Sequence, residues 1–369
     1  MRIGLLGFGT VGKGVFELVS HREDMEVGAV LCRRDLVLEG VRVTHDFRDI
    51  LEDPSINTVV EAIGGVHPAY EYVRAAILAG KNVATSNKAL MAHCYDDLVP
   101  LAAERGVLLR CTASVGGGIG WLSELERVRR VENITQVGGI MNGTCNYILD
   151  SMTRLGLNYG DALKQAQALG YAEADPSTDV EGIDTWHKLI VSANIAFGAS
   201  LDMDTVPVSG IRGITGEDVE NFRANGLVCK LVSHARKEGD SVHAWVQPTL
   251  YPVGQPEAAV PMNYNLITLV GDVSGRQSFF GQGAGRYPTA YNVVQDCVDF
   301  TRGQGYYASW GGKLRACNDT KLTWYVRGSC PFAVKERWGS GVITQPVSVA
   351  DMHRWLKETD GAFAAAMAR

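Results

Sequence analysis

The sequence predicts an α/β protein of two parts, a doubly wound parallel sheet followed by an α+β domain with a mixed sheet. Three observations lead there. Short apolar strands alternate with helical-period segments from Arg2 to Cys111, the pattern of a parallel sheet covered by helices. Helices and then strands dominate the later chain, which points to a second architecture. At 369 residues the chain also exceeds the ~250–300 at which single cores stop growing. The expected divisions are 1–135, 136–303 and a C-terminal segment, 304–369, that completes the core and ends in a short helical tail.

Arg2–Leu6 reads as a buried strand. It runs into Gly7-Phe8-Gly9-Thr10-Val11-Gly12, a G-x-G-x-x-G that opens a helix bearing Val11, Val15 and Leu18 at helical spacing. That strand–turn–helix context makes the motif a dinucleotide fingerprint, and the first domain a Rossmann domain. Val27–Leu31 is the second strand. An NAD-type acid would stand near its end; the chain has Cys32-Arg33-Arg34 there, with Asp35 following. Guanidiniums match a 2′-phosphate, so NADP is expected in preference to NAD. Strand Thr58–Ile63, helix Ala69–Leu78 and strand Asn82–Thr85 continue the alternation. Ligands in such sheets bind beyond the carboxyl ends of the strands, which selects Gly64-Gly65 and Ser86-Asn87-Lys88, with Lys88 expected in a short loop.

Strand Gly106–Cys111 leads to Thr112-Ala113-Ser114-Val115-Gly116-Gly117-Gly118-Ile119-Gly120. Helices follow over Gly143–Arg154, Asp161–Leu169 and Asp184–Phe197. Strands then cover Val242–Val246, Leu266–Val270 and Gln277–Phe280. The apolar face of Pro288–Thr301 predicts a helix returning to the first domain. Leu322–Arg327 is the last clear strand, and Ser348–Asp351 caps a helix reaching Leu356.

Between the second and third of these helices lies Tyr171-Ala172-Glu173-Ala174-Asp175-Pro176-Ser177-Thr178-Asp179-Val180-Glu181-Gly182-Ile183-Asp184. Five carboxylates there repel one another unless a cation neutralises them. Calcium is a poor match: Asp175, Ser177 and Asp179 mimic loop positions of an EF-hand, but Val180 and Trp186 stand where glycine and a bidentate glutamate are required. Zinc fares no better, since no His/Cys cluster has ligand spacing and His187 stands alone. Asp184 and Lys188 are i,i+4 and share a helix face.

The formal charge of −6 and the lack of a basic stripe argue against nucleic acid as a partner. No apolar run approaches the ~20 residues that span a bilayer, and the N-terminus does not read as a signal peptide. The eight cysteines form no C-x-x-C and read as buried thiols of a reducing cytosol.

Together and in order, the glycine-rich turn, Asn142-Gly143-Thr144-Cys145-Asn146-Tyr147-Ile148-Leu149, the Gly170-Tyr171-x-Glu173-x-Asp175-Pro176 motif and Gly281-Gln282-Gly283-Ala284-Gly285 resemble homoserine dehydrogenase. The resemblance runs from residue 1 to about 300. It implies reversible interconversion of L-homoserine and L-aspartate 4-semialdehyde with NADP(H) or NAD(H), in threonine, methionine and isoleucine biosynthesis. A cytoplasmic homodimer or dimer of dimers acting on a small amino acid is expected. Lys88 and Lys188 look like the family's two lysines for proton transfer, and Glu173 like the carboxylate receiving the substrate ammonium. Asp179 and Asp184 look like the acids holding substrate and lysine. Gly143, Thr144 and Tyr171 look like further pocket contacts, and Gly283 like a cofactor contact. Such a lysine works if burial or a nearby cation lowers its pKa.

The chain departs from the family at three places. Thr112 replaces the glutamate of a monovalent-cation site, which leaves only a cation at the carbonyls of Val115 and Gly117 open. Gly120 replaces a proline and should loosen its loop. Cys145 replaces a threonine. The first two leave room for a paralogue acting on another amino-alcohol. A non-catalytic NADP-binding sensor is the remaining alternative, against which Lys88, Asp184 and Lys188 count. The tail is too short for a complete ACT domain.

Overall fold

The computed structural model describes residues 1–305 and 311–368; residues 306–310 and Arg369 of the expected C-terminal segment lie outside the described residues. The chain divides into two compact units, Met1–Val131 with Val191–Ser200 and Gln282–Gly312, and Glu132–Ile190 with Leu201–Gly281 and Lys313–Arg369. These divisions interleave along the sequence, unlike the three consecutive blocks expected.

In the first unit, six parallel strands lie in the order Arg42–Thr44, Glu26–Leu31, Arg2–Leu6, Thr58–Glu61, Asn82–Thr85, Leu109–Arg110. Ile3, Leu5, Val30 and Val60 are buried against Val15 and Val19 of the Thr10–Ser20 helix, and against Ala290, Val293 and Cys297 of the Arg286–Thr301 helix. The helix from beyond residue 280 therefore returns to this unit. Lys88 differs from expectation. It opens a helix, Lys88–Arg105, because the Asn87 side chain accepts from the Leu90 amide at 3.0 Å and caps it.

The second unit is built on nine strands in the order Gly275–Gln282, Tyr264–Gly271, Ile134–Ile140, Leu227–Glu238, Ser241–Pro252, Phe363–Met367, Trp324–Arg327, Gly341–Thr344, Val334–Trp338. The sheet is mixed: Ser241–Pro252 pairs antiparallel with Leu227–Glu238 and parallel with Phe363–Met367. The last stretch of chain thus carries strands beside the expected helix, with strand Phe363–Met367 following that helix. Its strands escape a reading of hydrophobic period: Val334–Trp338 has no buried position and Phe363–Met367 carries three alanines, which favour helix in isolation. The Val349–Glu358 helix is capped by Ser348, whose hydroxyl accepts from the Asp351 amide at 3.1 Å. It buries Val349, Met352 and Trp355 with Trp245, Trp324 and Val326.

No helix among the described residues is long and apolar enough to cross a membrane. Cys32, Cys111, Cys145, Cys229 and Cys297 are buried, as expected, but Cys317 is exposed.

His353, on the Val349–Glu358 helix, is buried and its Nε2 lies 2.9 Å from the Gln247 Oε1. Burial pushes the imidazole down to about 4. An unfolded histidine takes its proton near 6.5, so the unfolded state binds more protons between these values. Stability from this residue is present above about pH 6.5 and is lost as pH falls towards 4, by roughly 3 kcal/mol. Denaturant titrations across that window should show a shallower pH dependence for His353→Gln than for the parent; equal slopes refute the assignment.

Candidate active site

The nucleotide edge of the first unit is shaped by three glycines. Gly7 has φ of +97°, and a Cβ there would meet the Ala62 carbonyl oxygen at 2.7 Å; one on Gly12 would meet the Gly7 oxygen at 2.1 Å. A Cβ on Gly9 would meet nothing within 4 Å. The first and third glycines close the turn, and the second leaves the backbone open to a pyrophosphate at the helix N-terminus. Beside it, Gly9, Thr10, Lys13, Arg34 and Arg286 line a cavity of about 340 Å³. Arg34 donates to the Phe8 carbonyl at 3.1 Å. Phe8 is buried against the Phe16 ring, and Val11 packs on the same core. Arg33 is exposed and does not line this cavity, and Asp35 turns to His45 at 3.2 Å. The donor set fits the phosphates of a dinucleotide.

Glu61 ends the central strand and organises the neighbouring turns. Its carboxylate accepts from Ile63 N at 2.7 Å, Gly64 N at 3.2 Å and the Thr85 hydroxyl at 2.5 Å. Asn87 donates to the Gly65 carbonyl at 2.6 Å. Gly64, Thr85 and, more loosely at 3.5 Å, Asn87 are thereby bound to one buried carboxyl, which burial pushes upward against these donors. Glu61 was legible only as an anomalous acid in an apolar strand.

At the glycine-rich turn, one carbonyl of the open cation site already accepts a side-chain hydrogen bond. Asn292, buried on the Arg286–Thr301 helix, donates its amide to the Gly117 carbonyl and, at 3.3 Å, to that of Ile119. Thr112 binds the buried Asp296 through its amide at 2.9 Å and its hydroxyl at 2.5 Å, and Arg110 binds the same carboxylate at 3.0 Å. A side-chain amide thus engages one of the two carbonyls a cation would need, and Thr112 belongs to a structural network. Gly283 lies against Gly117, where a Cβ would meet the Gly283 carbonyl carbon at 2.6 Å. Gly120 keeps φ at −71° as the cap of the Trp121–Arg129 helix. That is close to the angle a proline would impose, so the backbone here is one that either residue can adopt.

In the second unit a buried polar cluster forms where two helices begin. Asn142 caps Gly143–Leu155, its Oδ1 accepting from Cys145 N at 2.8 Å. Its Nδ2 donates to Asp179 Oδ1 and Asp184 Oδ2, both at 2.7 Å. Lys188 Nζ lies 2.8 Å from Asp184 Oδ2 and donates to the Met141 carbonyl at 2.7 Å. Asp184 and Lys188 are only 5% and 7% exposed. The i,i+4 pair is therefore a buried one, whose charges need these extra hydrogen bonds. Burial and the neighbouring Asp184 hold the Asp179 carboxyl above the usual aspartate range.

Thr144 donates to the Tyr171 carbonyl at 2.6 Å, and the Tyr171 ring packs on Tyr147. Gly143 sits where a Cβ would strike the Asn263 carbonyl. Glu173 is not in the cluster: it is exposed, and its backbone carbonyl accepts from Gln167. The other acids of the stretch find separate partners, Asp175 at the Ser177 amide and Glu181 at Arg212. Sequence reasoning missed Lys230, buried and bound to Asn146 Oδ1 at 2.9 Å and the Val260 carbonyl at 2.7 Å. Burial pulls its ammonium down to about 8.

The chain is 38% identical to a homoserine dehydrogenase of Bacillus subtilis over 312 residues, spanning 81% of this chain and 72% of the relative. The chain belongs to the homoserine dehydrogenase family. The Corynebacterium glutamicum homoserine dehydrogenase is 40% identical, with the same shares covered. The family profile "Homoserine dehydrogenase" matches residues 121–298, and "Homoserine dehydrogenase, NAD binding domain" matches 7–111. The homoserine dehydrogenase structure from Thiobacillus denitrificans superposes with a TM-score of 0.88 at 29% identity, covering 100% of this chain and 98% of that one. The protein is accordingly an oxidoreductase with an NAD-binding domain.

Asn142→Ala removes a helix cap and two bonds to carboxylates at once. It should cost about 2–4 kcal/mol in denaturant unfolding, whereas Asn142→Asp keeps the cap but adds a third carboxylate and should cost at least as much. Loss below about 1 kcal/mol for both would show that the cluster holds without this amide.

Proposed function

We propose that this homoserine dehydrogenase family member interconverts L-homoserine and L-aspartate 4-semialdehyde, with NADP(H) preferred over NAD(H), in the biosynthesis of threonine, methionine and isoleucine. The observation that carries the reading is the buried Asp184–Lys188 pair held by Asn142 and the Met141 carbonyl. A purely structural i,i+4 pair on a surface helix would not justify the desolvation.

A bound nicotinamide would accept hydride from the alcohol carbon of homoserine and, in the reverse direction, return it to the aldehyde carbon. Lys188 is held by Asp184 to give or take the proton at the substrate oxygen, with Lys88 as the second lysine of that transfer. Asp179 is crowded by Asp184 and gains from an incoming cation, which suits it to the substrate ammonium, with the exposed Glu173, outside the buried cluster, as a second carboxylate that the family resemblance implies. Gly143, Thr144 and Tyr171 complete the substrate contacts. Arg34, Lys13 and Arg286 around Gly9 support the preference for a 2′-phosphate, with Gly283 and the Ser86–Lys88 segment as further cofactor contacts. A cytoplasmic homodimer joined through the mixed sheet agrees with this role. Action on a different amino-alcohol loses much of its motivation, because Thr112 and Gly120 are accommodated structurally.

Turnover of L-homoserine, followed by absorbance of the reduced cofactor beside a panel of amino-alcohols, tests the substrate. Turnover only on another member of the panel overturns homoserine. Lys188→Ala should lower kcat by about 100-fold or more while cofactor binding holds; equal losses in both would make Lys188 structural. Arg34→Ala should raise KM for NADP+ about tenfold and leave NAD+ nearly unchanged. Equal effects on the two cofactors would remove Arg34 from phosphate recognition.

A further inference from the structure

Outside the proposed active site, one group of three metal-ligating side chains converges among the described residues: His243, Cys317 and Asp319. His243 lies on the Ser241–Pro252 strand, and the other two on the loop leading to Lys321. Cys317 Sγ is 3.4 Å from His243 Nδ1, Asp319 Oδ1 is 3.4 Å from the same nitrogen, and Sγ and Oδ1 are 3.7 Å apart. A tetrahedral ion bound at about 2.3 Å to sulfur and 2.0–2.1 Å to nitrogen and oxygen sets its donors roughly 3.3–3.6 Å apart. The three distances lie close to that range.

The arrangement does not suit a nucleophilic cysteine. A base that activates a thiol is oriented through its other ring nitrogen, whereas here the carboxylate and the closer approach of the thiol both meet Nδ1. Sharing one nitrogen is what a common ion requires, with the imidazole protonated on Nε2. The Thr320 hydroxyl, 3.1 Å from Nδ1, adds a fourth polar atom on that side.

The ligands are held before any ion arrives. Cys317 N donates to the Val242 carbonyl at 2.9 Å, and Ala244 N donates to Asn318 Oδ1 at 2.8 Å, so the loop is fastened on both sides of His243. Asn318 is buried and takes φ of +49° to make this turn, its Nδ2 donating to the Thr205 carbonyl at 2.9 Å. Cys317 and Asp319 are exposed, so an ion has a path in.

We propose that His243, Cys317 and Asp319 bind a thiophilic divalent cation of the Zn2+ class. Thiolate with imidazole selects such an ion over Mg2+ or Ca2+. It would clip the C-terminal segment to the sheet, joining ligands 74 residues apart in sequence.

The test uses the full chain, stripped with chelator and titrated with Co2+ as the optical probe and Zn2+ as competitor. One equivalent of Co2+ should give a thiolate charge-transfer band that Zn2+ abolishes. Cys317→Ser should remove the band, and Asp319→Asn should weaken Co2+ binding by about tenfold or more. Cys330→Ser, at another accessible thiol, should retain it. Dehydrogenase activity and circular dichroism of Cys317→Ser, matched to the metal-free parent, confirm that it folds. No band in the parent, or a band surviving Cys317→Ser, overturns the site. Saturating Zn2+ should raise Tm in the parent and not in Cys317→Ser; equal Tm with Zn2+ and with chelator overturns the clip.

Discussion

The second unit depends on how one amide, that of Asn142, manages buried charge. Two aspartates and one lysine meet at the start of two helices, and unlike charges alone would not repay their desolvation. The Asn142 Nδ2 group donates to both carboxylates, while its Oδ1 starts a helix. The same side chain therefore sets backbone and charge together. Lys188 completes the arrangement by bridging Asp184 and the Met141 carbonyl, one residue before that amide. Helix capping and the positioning of the proposed proton donor are one structural problem with one solution.

Glu61 does comparable work at the nucleotide edge of the first unit. It is buried at the end of a central strand and gathers donors from the Ile63–Gly64 turn and from Thr85. A carboxyl in such a place is expensive unless hydrogen-bonded, and the bonds that satisfy it hold the loop preceding Lys88. Lys88 consequently enters as the first residue of a capped helix rather than on a free loop. At the glycine-rich turn, the Asn292 amide engages the carbonyls of Gly117 and Ile119, and Thr112 is absorbed into the Arg110–Asp296 network. An atypical residue there marks a changed internal support.

Much of this was readable along the chain. The fingerprint glycines, the alternation of strands and helices, and the Asp184–Lys188 spacing are local features, and local sterics and helical period fix their meaning. The acidic stretch was less transparent. Five carboxylates close in sequence posed the question of which cation neutralises each, and the fold sorts them: Asp179 and Asp184 turn inward, while Glu173, Asp175 and Glu181 face solvent. The C-terminal strands were hidden for another reason. Phe363–Met367 is mostly alanine, and it becomes a strand because partners on both sides satisfy its backbone.

The sequence by itself determined the parallel sheet, its nucleotide turn, the family motifs and the shared helix face of Asp184 and Lys188, since each rests on residues within a few positions of one another. Only the tertiary structure decided that this pair is buried, that Asn142 holds both aspartates, that Glu61 governs the loop before Lys88, and that His243, Cys317 and Asp319 meet. Those outcomes depend on contacts across tens of residues, and neither spacing nor periodicity records which distant polar groups will be taken out of water together.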